Sequence, residues 1–177
     1  MFTNTKGDPT AMTDIASSAP LTLTEPPSVK VGVLVRAEPE RVFQAIVDPA
    51  ITTNFWYTKS DGKMAPGREL CWTWEMYGVS STVNVMEVVE NRRVLFTWSG
   101  YNPEHPSTVE FMLTPFEGFT YLQVTERDFT GNGDELVRYV ADSTGGFTFL
   151  ISAIKAFLEH DVVLRVVLDA HPSGLEL

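Results

Sequence analysis

The stretch from about Asp134 to His160 constrains the fold most. Leu136, Val140, Thr144, Phe147, Ile151, Ile154 and Leu158 recur at spacings of three and four, with Thr148, Ser152, Lys155 and Glu159 along the other side. This pattern predicts one long amphipathic helix whose apolar face needs a second layer to cover it. Gly145-Gly146 lies inside it, at a cost of about 1 kcal/mol per glycine relative to alanine. Two readings follow. Either the helix kinks or breaks there, or the missing side chains leave room for a ligand or for close approach of helix and sheet.

The preceding residues supply the second layer. Val29 to Arg36 (VKVGVLVR) is dominated by β-branched residues and predicts a strand. Pro39 fits the first turn of a helix behind Glu38, a poor N-cap, and Val42, Phe43, Ile46 and Val47 share one face. Asp48-Pro49 repeats the cap-then-proline pattern and opens a second short helix reaching about Phe55. Five strand-like stretches follow: Arg68 to Tyr77, Ser80 to Val89, Arg93 to Ser99, Thr108 to Thr114 and Phe119 to Asp128. Their separators (Gly78, Glu90-Asn91, Asn102-Pro103, Glu117-Gly118) are short and turn-rich, which predicts an antiparallel meander. The expected class is α+β, with a curved sheet wrapped around the final helix. In the first meander strand Leu70, Trp72, Trp74 and Met76 share a face opposite Cys71, Thr73, Glu75 and Tyr77; Val94, Phe96 and Trp98 align likewise in the third. Such an aromatic load either fills the core or lines an apolar pocket where helix and bent sheet diverge.

Composition narrows the function classes. The 177 residues suffice for one domain with a sizeable core, placed here at residues 29–177. Met1 to Ser28, rich in Thr, Ser, Ala and Pro without periodicity, reads as a disordered tail, or alternatively as an arm docking on a neighbouring subunit through Leu21 and Leu23. No apolar run reaches about 18 residues and no basic-then-apolar leader is visible, so a cytoplasmic protein without membrane attachment is expected. Thirteen Lys and Arg against 23 Asp and Glu give a net charge of −10, which opposes nucleic acid and anionic lipid as partners. One cysteine and three scattered histidines provide neither an internal disulfide nor the usual zinc ligands, and neither metal nor cofactor is expected.

Four segments together carry a family resemblance: EPERVFQAIVDPAITTNFW, VNVMEVVENRRVLFTW, STVEFMLTP followed by Phe119 to Thr125, and STGGFTFLISAIKAFLEHD. In order and spacing, from roughly Val29 to His171, the chain resembles the START-like SRPBCC superfamily. Within it the chain is similar to the C-terminal domain of the activator of the 90-kilodalton heat-shock chaperone ATPase. It departs from that pattern in having Phe147 where many relatives carry tryptophan after glycine, and in its long N-terminal tail. The resemblance implies a helix-grip fold with an internal hydrophobic cavity. It implies no single activity, since the superfamily includes lipid carriers, cyclases, hormone receptors, stress-related proteins and chaperone regulators.

Residues suited to catalysis are few. His105 lies in a Pro-flanked loop and His171 near the terminus, both expected to be exposed, and His160 lies in the last helical turn, where favourable interaction with the helix C-terminus explains it without catalysis. Glu126, Arg127 and Asp128 read as a solvated strand end, with the alternative that one of them points into a cavity mouth. Asp142, Ser143 and His160 make no triad, because Ser143 and His160 would lie about 25 Å apart on a straight helix. Cys71 is expected to be a buried, inert thiol. No catalytic residue is assigned, and an enzyme of polyketide-cyclase or hydrolase type would need a polar group deep in the cavity. The leading expectation is a binding protein for a small lipophilic or aromatic molecule, monomeric or homodimeric. Its site is placed at Trp56, Trp72, Trp74, Trp98, Phe111, Gly146, Phe147 and Leu150. The alternative is an interaction protein that regulates a chaperone ATPase.

Overall fold

The computed structural model describes residue 19 and residues 21–172. The chain runs β1 (Val29–Val35), α1 (Pro39–Val47), α2 (Pro49–Thr52), β2 (Lys59–Ser60), β3 (Glu69–Trp74), β4 (Val79–Val89), β5 (Arg93–Trp98), β6 (Ser107–Phe116), β7 (Phe119–Arg127) and α3 (Gly133–His160). All pairings in the seven-stranded sheet are antiparallel, in the order β1-β7-β6-β5-β4-β3-β2, so the first strand closes against the last. This is the α+β helix-grip arrangement, with α1 and α2 between the first two strands.

Local chemistry sets the element ends. Glu38 precedes α1 without capping it, whereas the Asp48 carboxylate accepts from the Ala50 amide at 3.0 Å and starts α2. Asn132 and Glu135 form a reciprocal capping box at the start of α3: the Glu135 amide donates to Asn132 at 3.1 Å and the Asn132 amide to Glu135 at 2.8 Å. The helix then continues unbroken for 28 residues. The glycine pair therefore marks no boundary between two helices. Neither glycine is required by close packing, since a Cβ on Gly145 or Gly146 would meet nothing within 4 Å.

Three expectations are corrected. The strand drawn to Tyr77 ends at Trp74, because Glu75–Tyr77 form a 3₁₀ turn closed by Gly78 at φ 62°. That turn breaks the alternation, leaving Met76 exposed and sending the Tyr77 hydroxyl to the Val167 carbonyl at 2.8 Å. Cys71 is exposed, since Leu70 and Trp72 occupy the core face and the pleat sends the residue between them outward. On α3 the inward stripe passes through Ser143 rather than Thr144.

The core lies between the sheet's concave face and α3. Leu70, Trp72, Val83, Val94, Phe96, Val109, Phe111, Leu122 and Val124 face Phe147, Leu150, Ile151, Ile154 and Leu158. Glu159 anchors the C-terminal end of α3: its carboxylate accepts from the Arg36 amide at 2.7 Å and from Lys155, which also donates to the Leu34 carbonyl at 2.7 Å. Residues 1–18 and 20 of the expected tail lie outside the described residues. Leu21 sits on the start of α3, donating its amide to Asp134 at 3.4 Å, with its carbonyl oxygen 1.8 Å from where a Cβ on Gly133 would stand.

Candidate functional site

The site forms where the N-terminal half of α3 leaves the sheet. β3 and β5 each end on the core face in a tryptophan, Trp74 and Trp98, and the segment after α2 contributes Trp56. Around Trp98 the ring centroids of Trp56, Trp74 and Phe147 lie 6.4, 6.4 and 5.8 Å away. These four rings, with Tyr101, Asp142, Ser143, Gly146 and Val167, line a cleft of about 170 Å³. It adjoins a wider one of about 550 Å³, and Tyr101, Asp142, Gly146 and Val167 belong to both. The outer cleft is bordered by Tyr77, Phe149, Ala170 and His171, so the chain beyond α3 folds back along its rim. The rim is fixed by Tyr77, whose hydroxyl contacts the Val167 and Leu168 carbonyls and the His171 amide at 2.8, 3.1 and 3.3 Å.

Of the eight residues expected at a site, Trp56, Trp74, Trp98, Gly146 and Phe147 line the cleft. Trp72, Phe111 and Leu150 are fully buried and stand behind it. Trp72 packs edge-on against Trp56 at 4.8 Å and Phe111 lies 5.8 Å from the same ring, so they hold the lining in place without reaching the open space. The remaining lining comes from Asp142 and Ser143 on α3 and from two loop and post-helical residues, Tyr101 and Val167, which no periodicity marks.

Behind the Trp98 and Ser143 walls lies Glu126, read from sequence as part of a solvated strand end and in fact fully buried. Its Oε1 accepts from the Trp98 indole Nε1 at 2.7 Å and from the Ser107 hydroxyl at 2.5 Å, while Oε2 accepts from the Ser143 hydroxyl. Burial raises the carboxyl's pKa above the usual range, and the three donors partly offset that rise by favouring the ionised form. No ion pair reaches Glu126 among the described residues. A signal for it existed in the sequence: Thr120, Leu122 and Val124 alternate on the core face, and the next residue in that register is Glu126. With no exposed atom it touches nothing in the cleft directly. Ser143, which donates to it, is itself among the residues lining the space. His160 is exposed and lines neither cleft; His105 is exposed and borders a small recess with Tyr101 and Ser107; His171 is exposed on the rim of the outer cleft, against the Tyr77 ring.

Among known proteins, a structure from Staphylococcus saprophyticus is 28% identical, covering 78% of this chain and 96% of its own, with a TM-score of 0.66. DynU16, a protein of the dynemicin biosynthetic locus, is 23% identical over 79% of this chain and 50% of its own, with a TM-score of 0.67. The Aha1 dimer from Colwellia psychrerythraea gives 20% identity, 75% and 96% coverage and a TM-score of 0.62. At 23% and 20% identity, those last two likenesses speak to the fold alone. No curated protein matches the chain. Residues 36–159, which span both short helices, the whole meander and all but the last residue of α3, match the family described as Activator of Hsp90 ATPase homolog 1-like protein, and the chain belongs to that family.

Proposed function

We propose that the protein binds a small lipophilic or aromatic molecule in the cleft between α3 and the tryptophan-bearing strand ends. The observation that carries this reading is the unfilled space itself. Four aromatic rings converge there, yet leave about 170 Å³ open to a wider cleft instead of closing on one another. Gly146 supports it, because a helix position with room for a side chain carries none and the vacant volume opens on the rings. Affinity would come mainly from apolar burial, at roughly 25 cal/mol per Å².

The test is quenching of tryptophan emission by 4-phenylbutanol, after native mass spectrometry of freshly purified protein to look for a retained molecule. Gly146→Leu is expected to weaken binding about tenfold or more in a folded protein by filling the space, and Gly146→Ala to have little effect. Unchanged affinity in a folded Gly146→Leu protein would overturn the reading. The family description favours a second reading, regulation of a chaperone ATPase through the outer surface. In that case stimulation of a 90-kilodalton chaperone's ATPase would survive Gly146→Leu intact.

A further inference from the structure

We propose that the molecule bound in this cleft is an organic cation, a lipophilic amine or ammonium whose charged head sits among Trp56, Trp98 and Tyr101 and pairs with Asp142. The inference rests on the binding function proposed above and names the chemistry of its ligand.

The first argument is charge. Among the described residues that line either cleft, Asp142 alone is a carboxylate and none is lysine or arginine. Asp142 lines both spaces, so it stands where an inner aromatic enclosure meets an outer, solvent-connected one. An anionic lipophile such as a fatty acid would find no lysine or arginine in either lining, only the His171 imidazole on the outer rim, and would meet Asp142 as a like charge.

The second argument is the walls. Tryptophan and tyrosine present electron-rich faces, and a cation within about 6 Å of such a ring is attracted to it, the more strongly the less water remains around it. Three tryptophans, Tyr101 and Phe147 in one cleft, beside a carboxylate, are the combination that favours a cation over a neutral molecule of the same shape.

The third argument is the buried network. Ser143 spends its hydroxyl hydrogen on Glu126, so its oxygen is left as an acceptor, with the Tyr101 hydroxyl beside it. The Trp98 indole N–H likewise points back to Glu126, leaving that ring's face for the cleft. Burial pushes the Tyr101 hydroxyl's pKa up, the Glu126 and Asp142 carboxylates push it further, and a hydrogen bond with Ser143 only partly opposes them, in keeping with a site that disfavours a new negative charge.

Three probes of matched shape test this, 4-phenylbutylammonium, 4-phenylbutanol and 4-phenylbutyrate, titrated against tryptophan emission at fixed ionic strength. The ammonium is expected to bind about fivefold or more tightly than the alcohol, and the carboxylate more weakly than either. Asp142→Asn should erase most of the ammonium's advantage over the alcohol. Because the whole chain carries a net charge of −10, Glu90→Gln, in the β4–β5 turn at the other end of β4, is the control for general attraction. It should leave the ratio as it is. Carboxylate binding as tight as ammonium, or an ammonium-to-alcohol ratio unmoved by Asp142→Asn, would overturn the inference while leaving the cleft a binding site. Failure of all three probes, the neutral alcohol included, would overturn the binding function itself and the inference with it.

Discussion

Replacing Glu126 separates what its charge does from what its shape does. The carboxyl is fully buried, has no cationic partner among the described residues, and holds three donors: the Trp98 indole, the Ser107 hydroxyl and the Ser143 hydroxyl. Glu126→Ala would strand these donors and leave a void. Each orphaned donor costs about 1–3 kcal/mol, though a hydroxyl can turn to another acceptor, so a total loss of about 3–5 kcal/mol is expected. Glu126→Gln keeps the volume. Its carbonyl oxygen can receive the Trp98 and Ser107 hydrogens while its amide nitrogen faces Ser143, whose hydroxyl can rotate to accept.

The two substitutions diverge with pH. Because burial raises the Glu126 pKa in the folded state, the native protein binds more protons than the unfolded chain between the ordinary glutamate value, near 4.5, and the raised one. Stability from this group is thus fully present below the unfolded pKa and lost as pH rises through the folded one. Glutamine carries no such dependence. In urea denaturation followed by tryptophan emission, Glu126→Gln should match the wild type most closely near pH 4 and gain on it as pH rises toward neutrality. Glu126→Ala should be destabilised throughout. A glutamine variant as damaged as the alanine one at pH 7, or a wild-type-to-glutamine difference flat between pH 4 and 8, would refute the reasoning.

Glu159 should show the opposite slope. Burial opposes its ionisation, but the Arg36 amide, Lys155 and Arg36 outweigh it and hold its pKa below the usual value. Stability from it is therefore present above the unfolded pKa and lost as pH falls. Glu159→Gln should cost about 1 kcal/mol at pH 7 in the same denaturation assay, with the gap closing toward pH 3. Gly145→Ala should raise the melting temperature, by about 0.4–1 kcal/mol of stability, since the helix gains a better former and the added Cβ meets nothing. Gly133→Ala should destabilise the full chain by collision with the Leu21 carbonyl, yet be neutral or stabilising after deletion of residues 1–28; calorimetry of the four proteins closes that cycle.

The parts of the fold legible in the sequence were those written in a repeating pattern. The meander emerged from alternation and turn residues, and α3 from its three-four spacing, because each element buries one face and that burial selects residues at the element's own period. What stayed hidden was polar residues at core positions. The three-four spacing puts Thr144 on the inward stripe because threonine and serine are equally ambiguous by hydropathy, whereas the geometry turns Ser143 toward the sheet. Glu126 was read as solvated because a charged residue at a strand end usually is. Only its three partners, drawn from β5, the start of β6 and α3, make burial tolerable, and no local window contains them. The cleft lining divides in the same way: Trp74 and Trp98 lie on strand faces visible in the sequence, while Tyr101 and Val167 reach it from irregular chain.

The position of the cleft follows from how α3 is held. Its C-terminal half packs over β1, with Ile151, Ile154 and Leu158 buried, Lys155 and Glu159 tied to the Leu34 and Arg36 backbone, and Arg41 donating to the Leu158 carbonyl at 3.2 Å. Its N-terminal half has few such contacts: between Asp134 and Gly146 only Ser143 is buried, and that residue faces a carboxyl rather than a hydrocarbon. A helix clamped by apolar packing at one end and held at the other by the Ser143–Glu126 bridge, the Tyr101–Tyr139 stack and a partly buried Val140 leaves a wedge of space over the strand ends, and the tryptophans there line it without filling it. The same division assigns apolar packing to the end that stabilises the fold and polar or absent side chains (Asp142, Ser143, Gly145, Gly146) to the end that borders the cleft. Filling the wedge with larger apolar residues would extend the core along the whole helix and, on the proposed binding function, close the space that Asp142 and the aromatic rings share.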